Sequence, residues 1–107
     1  MKLSLNGYEL KIIWKLHRHS YYGAKHTSID HLKQGFRSNS GKEIKDAIDN
    51  LVKNGIVIVE KKTKEDHVCL NTKEVKLIHK IVDWFTDHMK EINKEELNKT
   101  YFEIENE

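Results

Sequence analysis

Proline is absent from the 107 residues, cysteine occurs once, glycine five times, and only Arg18 and Arg37 stand among 19 basic residues otherwise made of lysine. A lone Cys69 excludes an intrachain disulfide and a four-cysteine zinc site, and it predicts a reducing, cytoplasmic setting. No run of eighteen apolar residues exists, so no membrane-spanning helix is expected, and the opening MKLSLNGYELK lacks the long apolar segment of a secretory signal. The HExxH pair, a phosphate-cradling glycine loop and the Gly-x-Ser-x-Gly elbow are all missing. No enzyme and no cofactor are therefore expected. With 37% apolar and 8% aromatic residues the chain can close one small core.

Seven histidines raise the question of a metal. His17 and His19 are two apart on a helical segment and cannot share a face, whereas His67 and Cys69 are two apart on a strand and do. Two ligands do not make a site, so no metal is expected, and Cys69 between Val68 and Leu70 reads as a small buried hydrophobe.

Charge is present in quantity but unevenly placed. Residues 1–64 carry 13 Lys/Arg against 6 Asp/Glu, and residues 65–107 carry 6 against 11. A basic body with an acidic end suits a polyanion partner, and it equally suits a solvated surface.

Periodicity supplies the elements. Leu10, Ile13, Trp14 and Leu16 recur at helical spacing behind the cap-former Asn6, predicting a helix over about 7–19. The aperiodic stretch from Ser20 to His26 reads as a loop, with Tyr21 and Tyr22 covering the core edge or stacking on a partner. Thr27 is placed to cap a short second helix carrying Ile29 and Leu32 inward until Gly35. After Arg37-Ser38-Asn39-Ser40-Gly41, a turn rich in cap-formers, Ile44, Ala47, Ile48, Leu51 and Val52 mark one face of a third helix that Gly55 ends. IVIVE and HVCLN flank a polar tip, KKTKED, as a hairpin, and Asn71 or Thr72 then caps a long fourth helix reaching about Ile92.

The stretch from Glu9 to Asn71 resembles the winged helix-turn-helix family. The resemblance rests on the helix ELKIIWKLH, the short helix SIDHLKQGF, the turn RSNSG, and the third helix KEIKDAIDNLVKNG running through Leu51, Gly55 and Ile56 into the wing. It covers about 63 of the 107 residues and is a fold-level signature. It implies an α+β, mainly α fold: a winged helix-turn-helix domain over 1–71, a C-terminal helix over 72–92 and an acidic tail over 93–107. It further implies a small transcriptional regulator that binds double-stranded DNA, third helix in the major groove and wing on the backbone.

On that reading the DNA-binding residues are Arg37, Ser38, Asn39 and Ser40 at the third helix's N-terminus, Lys42, Lys45 and Lys53 on its outer face, and Lys61, Lys62 and Lys64 on the wing. Asn39 and Ser40 also suit simple capping, and every lysine here also suits a solvated face. Asp46 and Asp49 share the outward face and oppose a polyanion, so a winged helix serving as a protein-interaction module is the competing expectation.

In the fourth helix Val75, Ile78, Val82, Phe85, Met89 and Ile92 follow a heptad-like seam, with a second stripe of Leu77, Ile81, Trp84 and His88 beside it. Two stripes span more than one contact needs. A homodimer through Leu77, Ile81, Trp84, Phe85 and His88 is the expectation; a tail folded back with Tyr101 and Phe102 over the stripe is the alternative.

Overall fold

A computed structural model describes residues 2–105; Met1, Asn106 and Glu107, the outermost residues of the expected first domain and acidic tail, lie outside the described residues. Five strands and four α-helices follow in the order β1 (Lys2–Asn6), α1 (Gly7–Arg18), β2 (Thr27–Ser28), α2 (Ile29–Lys33), α3 (Gly41–Lys53), β3 (Val57–Glu60), β4 (His67–Leu70), α4 (Val75–His88) and β5 (Thr100–Glu105). The fold is α+β, about half helical, with two small antiparallel sheets: β1 beside β5, and β2, β4 and β3 in that order. Among the described residues no helix is long and apolar enough to cross a membrane.

Local chemistry explains most boundaries. Asn6 opens α1 with a capping box: its side chain accepts from the Glu9 N–H, and the Glu9 carboxylate accepts from the Asn6 N–H, each at 2.9 Å. α3 ends in a Schellman motif. Gly55, at φ +75°, sends its N–H to the Val52 carbonyl, and the Ile56 N–H reaches the Leu51 carbonyl, each at 3.0 Å. Leu51 and Ile56, both fully buried, make the accompanying apolar contact and aim the chain into β3. Asn71 then locks the join, its side chain donating to the Gly55 carbonyl at 2.8 Å.

Two caps differ from expectation. Ser28, not Thr27, caps α2, accepting from the His31 N–H at 3.1 Å, because Thr27 is taken into β2 opposite Val68. Ser40 precedes α3 without capping it; its hydroxyl is 3.2 Å from that of Tyr8 inside the core.

Larger differences lie at the ends of the chain. Leu3 and Leu5 alternate inward on a strand, β1, that pairs with β5 from Lys2 opposite Glu105 to Asn6 opposite Thr100. Within the expected acidic tail, Thr100–Glu105 forms a strand on β1, and residues 2–71 share their core with α4 and β5. One apolar cluster joins Leu3, Leu5, Leu10, Leu51, Leu70, Ile78 and Phe102. α4 ends at His88, four residues short of Ile92; a 3₁₀ turn follows at Met89–Glu91, and Asn93 caps another at Lys94–Glu96 by accepting from the Glu95 N–H. The Leu97 carbonyl accepts from the Gly7 and Tyr8 N–H groups at 2.8 and 3.3 Å, so the C-terminal segment satisfies donors that α1 leaves open at its start.

The stripe assigned to a dimer is consequently occupied within the chain. Ile81 is fully buried and Phe85 is 6% exposed; Phe102 of β5 meets the Trp84 ring at 5.4 Å, and His88 stacks on Trp84 at 4.4 Å. Leu77 is half-buried and borders a shallow depression with Ile104 of β5. The expected seam is thus partly covered from within the chain, by Phe102 on Trp84, Ile104 beside Leu77 and Trp14 of α1 on Phe85.

Candidate nucleic-acid interface

α3 is positioned by the apolar face it sinks into the core, formed by Ile44, Ala47, Ile48 and Leu51. Lysines of α1 hold the turn that leads into it. Lys11 donates to the Gly35 carbonyl at 2.9 Å, while Lys15 donates to the Leu32 carbonyl at 3.2 Å and to that of Gln34. These carbonyls lie at the end of α2, where cations suit the helix dipole. Burial lowers the Lys15 ammonium from its ordinary value, and neighbouring Lys11 and Arg18 lower it further. Sequence patterning missed this pair, although the spacing of four residues between Lys11 and Lys15 was the available signal.

Opposite the core, α3 stands uncovered beside the β3–β4 hairpin. Between them runs a groove of about 450 Å³, bordered by Lys33 of α2, Lys45, Asp49 and Val52 of α3, and Lys61 and Asp66 of the hairpin. The structure thus brings Lys45 and Lys61 together across one concavity and adds Lys33, which the sequence reading did not single out. Val52, expected on the buried face, is 39% exposed here.

The remaining cations sort differently. Lys42 pairs with Asp46 at 3.2 Å one turn along the helix, Lys61 with Asp66 at 3.0 Å and Lys62 with Glu60 at 3.1 Å. The Lys62 hydrogen bond holds the Glu60 carboxyl below the usual range, aided by His26 and His67. Lys53 lies in the last turn of α3, about 16 Å along the axis from Lys42, and is not gathered with it. Ser38 and Asn39 are exposed. Two assignments need correction: Ser40 is 3% exposed and bonded to Tyr8, so its hydroxyl is turned away from any ligand, and the Arg37 guanidinium is engaged by Glu95 of the C-terminal segment. Tyr21 and Tyr22 are half-buried; the Tyr21 carbonyl accepts from the Leu70 N–H, and the Tyr22 hydroxyl lies 2.8 Å from His17 Nδ1. Both therefore edge the core.

These surface ion pairs are weak restraints. Lys42 and Lys61 keep more than four-fifths of their side-chain surface exposed, and pairs of this kind contribute about 0–1 kcal/mol. A phosphate can therefore displace the carboxylate, although the carboxylate stays nearby and opposes it. Beside the hairpin, His26 Nδ1 is 2.8 Å from His67 Nδ1, and its Nε2 is 3.2 Å from Glu60. The three groups run in a line and do not converge on a point; among the described residues no three His, Cys, Asp or Glu gather as metal ligands would.

Comparison with protein-family models, curated proteins and solved structures returns no match for this chain. The functional argument therefore rests on the site.

Proposed function

We propose that the chain is a winged-helix domain that binds double-stranded DNA as a small transcriptional regulator, with α3 entering the major groove and the β3–β4 hairpin lying on the backbone. The element order α1, β2, α2, α3, β3, β4 and the sheet order β2-β4-β3 support the winged-helix reading. The observation that carries the binding proposal is the groove itself: an uncovered helix face and a hairpin share it, and Lys33, Lys45 and Lys61 reach it from three elements. No arginine borders the groove to read guanine, so phosphate contacts dominate and base reading is modest.

Fluorescence anisotropy with a random-sequence duplex tests this. Affinity should fall about a hundredfold between 50 and 200 mM salt if some four phosphates are neutralised. A Lys33→Ala, Lys45→Ala, Lys61→Ala triple variant should flatten that dependence. Absence of binding at the lower salt would overturn the proposal. A second reading, a protein-interaction module, is favoured by Asp49, Asp66 and exposed Val52 in the same groove, and it is the reading left standing by that outcome.

A further inference from the structure

A second cavity, of about 280 Å³, opens on the opposite flank of the turn that leads into α3. Its wall carries the rings of Trp14, Phe36 and Phe85, with Trp14 and Phe85 5.9 Å apart between centroids. Its charged groups are Lys11, Arg37 and Lys94 against the single carboxylate of Glu95, which Arg37 already engages. Among the described residues Lys11 and Lys94 form no ion pair.

That is an unusual use of lysine. The Lys11 ammonium sits 4.7 Å from the Phe36 centroid and spends one donor on the Gly35 carbonyl, which leaves donors for another partner. Burial lowers it from its ordinary 10.5 and Lys94 lowers it further; a half-buried and an exposed cation thus border the cavity, whose one carboxylate, Glu95, is engaged by Arg37. Holding a partly desolvated cation near a like charge has a cost, and a bound anion offsets it. The rings supply the complementary requirement, a flat apolar body.

We propose that this cavity binds a small organic carboxylate with a flat apolar body, the carboxylate held by Lys11 and Lys94 and the body seated against Trp14, Phe36 and Phe85. Its volume lies at the small end of ligand pockets, about 300 Å³ and upward, which suits one or two fused rings. Arg37 and Glu95 meet across the rim and link the C-terminal segment to the turn. The proposal stands independently of DNA binding.

The test is an amide-resolved NMR titration of the full chain with 2-naphthoate, and with the isosteric neutral amide as the control. Saturable shifts are expected at Gly35, Phe36 and Leu97, with the neutral amide binding at least about tenfold more weakly. Lys11→Met should cost the carboxylate about the same factor. Met89→Trp, at a half-exposed position on the rim, should block binding while leaving the dispersed spectrum of a folded chain. Equal affinity for the two probes, absence of saturable shifts, or undiminished binding to Met89→Trp would each overturn the proposal. Should Lys11→Met lose the fold with its Gly35 bond, the probe pair and Met89→Trp still decide.

Discussion

Two helices present a broad outer face in this sequence, and the structure treats them oppositely. The outer face of α3, with Lys42, Lys45, Asp46 and Asp49, is left open to solvent. The second stripe of α4, just as wide on paper, is closed by β5 through Phe102 on Trp84. The difference lies in what each face could gain. Lysine and aspartate are best left hydrated, and packing them would demand pairing at every atom. Ile81, Trp84 and Phe85 carry a free-energy cost while wet, and any apolar edge in the chain that can reach them will cover them. An uncovered amphipathic face therefore predicts a partner only when its outward residues are polar enough to tolerate waiting for one.

The comparison breaks most visibly at Phe102, which is 7% exposed. Phe102→Ala should destabilise the fold by about 3–5 kcal/mol, measured by urea unfolding, and uncover the α4 stripe. Light scattering of variant and parent should then show greater self-association for the variant. A loss below about 1 kcal/mol would mean that β5 is not the cover.

A smaller effect sharpens the other side. Replacing Asp46 and Asp49 together by Asn leaves the shape of α3 intact and removes two negative charges from its outer face. On the DNA-binding proposal affinity for a duplex rises about tenfold at low salt, read by the same anisotropy titration. An unchanged or lower affinity would place the duplex elsewhere or remove it from consideration.

The smallest expected effect is pH dependence at His17. Burial lowers its imidazolium from the ordinary 6.5, neighbouring His79 adds to this and Asp83 opposes it. The unfolded chain therefore takes up this proton more readily than the folded one. The stability tied to neutral His17 is complete above 6.5 and declines as pH falls through the lowered folded value. Thermal unfolding of the parent and of His17→Gln between about pH 7.5 and 5 checks the sign, since the variant should lose less stability on acidification.

Between Asn6 and Asn71 the helices and the hairpin were legible because most carry their own punctuation, whereas β2 was not, since Thr27 reads as a cap and instead pairs with distant Val68. Asn6 caps α1, Gly55 ends α3 and Asn71 caps the turn before α4. The ends were not legible for a physical reason. Leu3 and Leu5 supply only two inward positions, and their partners Ile104 and Phe102 lie about a hundred residues away, so no window of sequence contains both halves of the pattern. Within the candidate site, the pairing of α3 with the hairpin was readable, but the fate of individual groups was not. Ser40 is claimed by Tyr8 and Arg37 by Glu95, and both claims arrive from distant chain. The cavity behind Phe36 is of the same kind, since its walls come from α1, the turn before α3 and the residues after α4.

The β1–β5 pairing has a temporal side. Lys2 meets Glu105, so this ladder closes nearly the largest loop the described chain allows, and the entropy of that closure rises only slowly with length but must be met before any contact rewards it. The helices and the hairpin close short loops and are free to form first. During synthesis the apolar stripe of α4 is made before the strand that shields it, and Leu3 and Leu5 wait through almost the entire chain for Ile104 and Phe102. The vulnerable interval is therefore the one between synthesis of α4 and synthesis of β5, while the apolar stripe waits for Phe102.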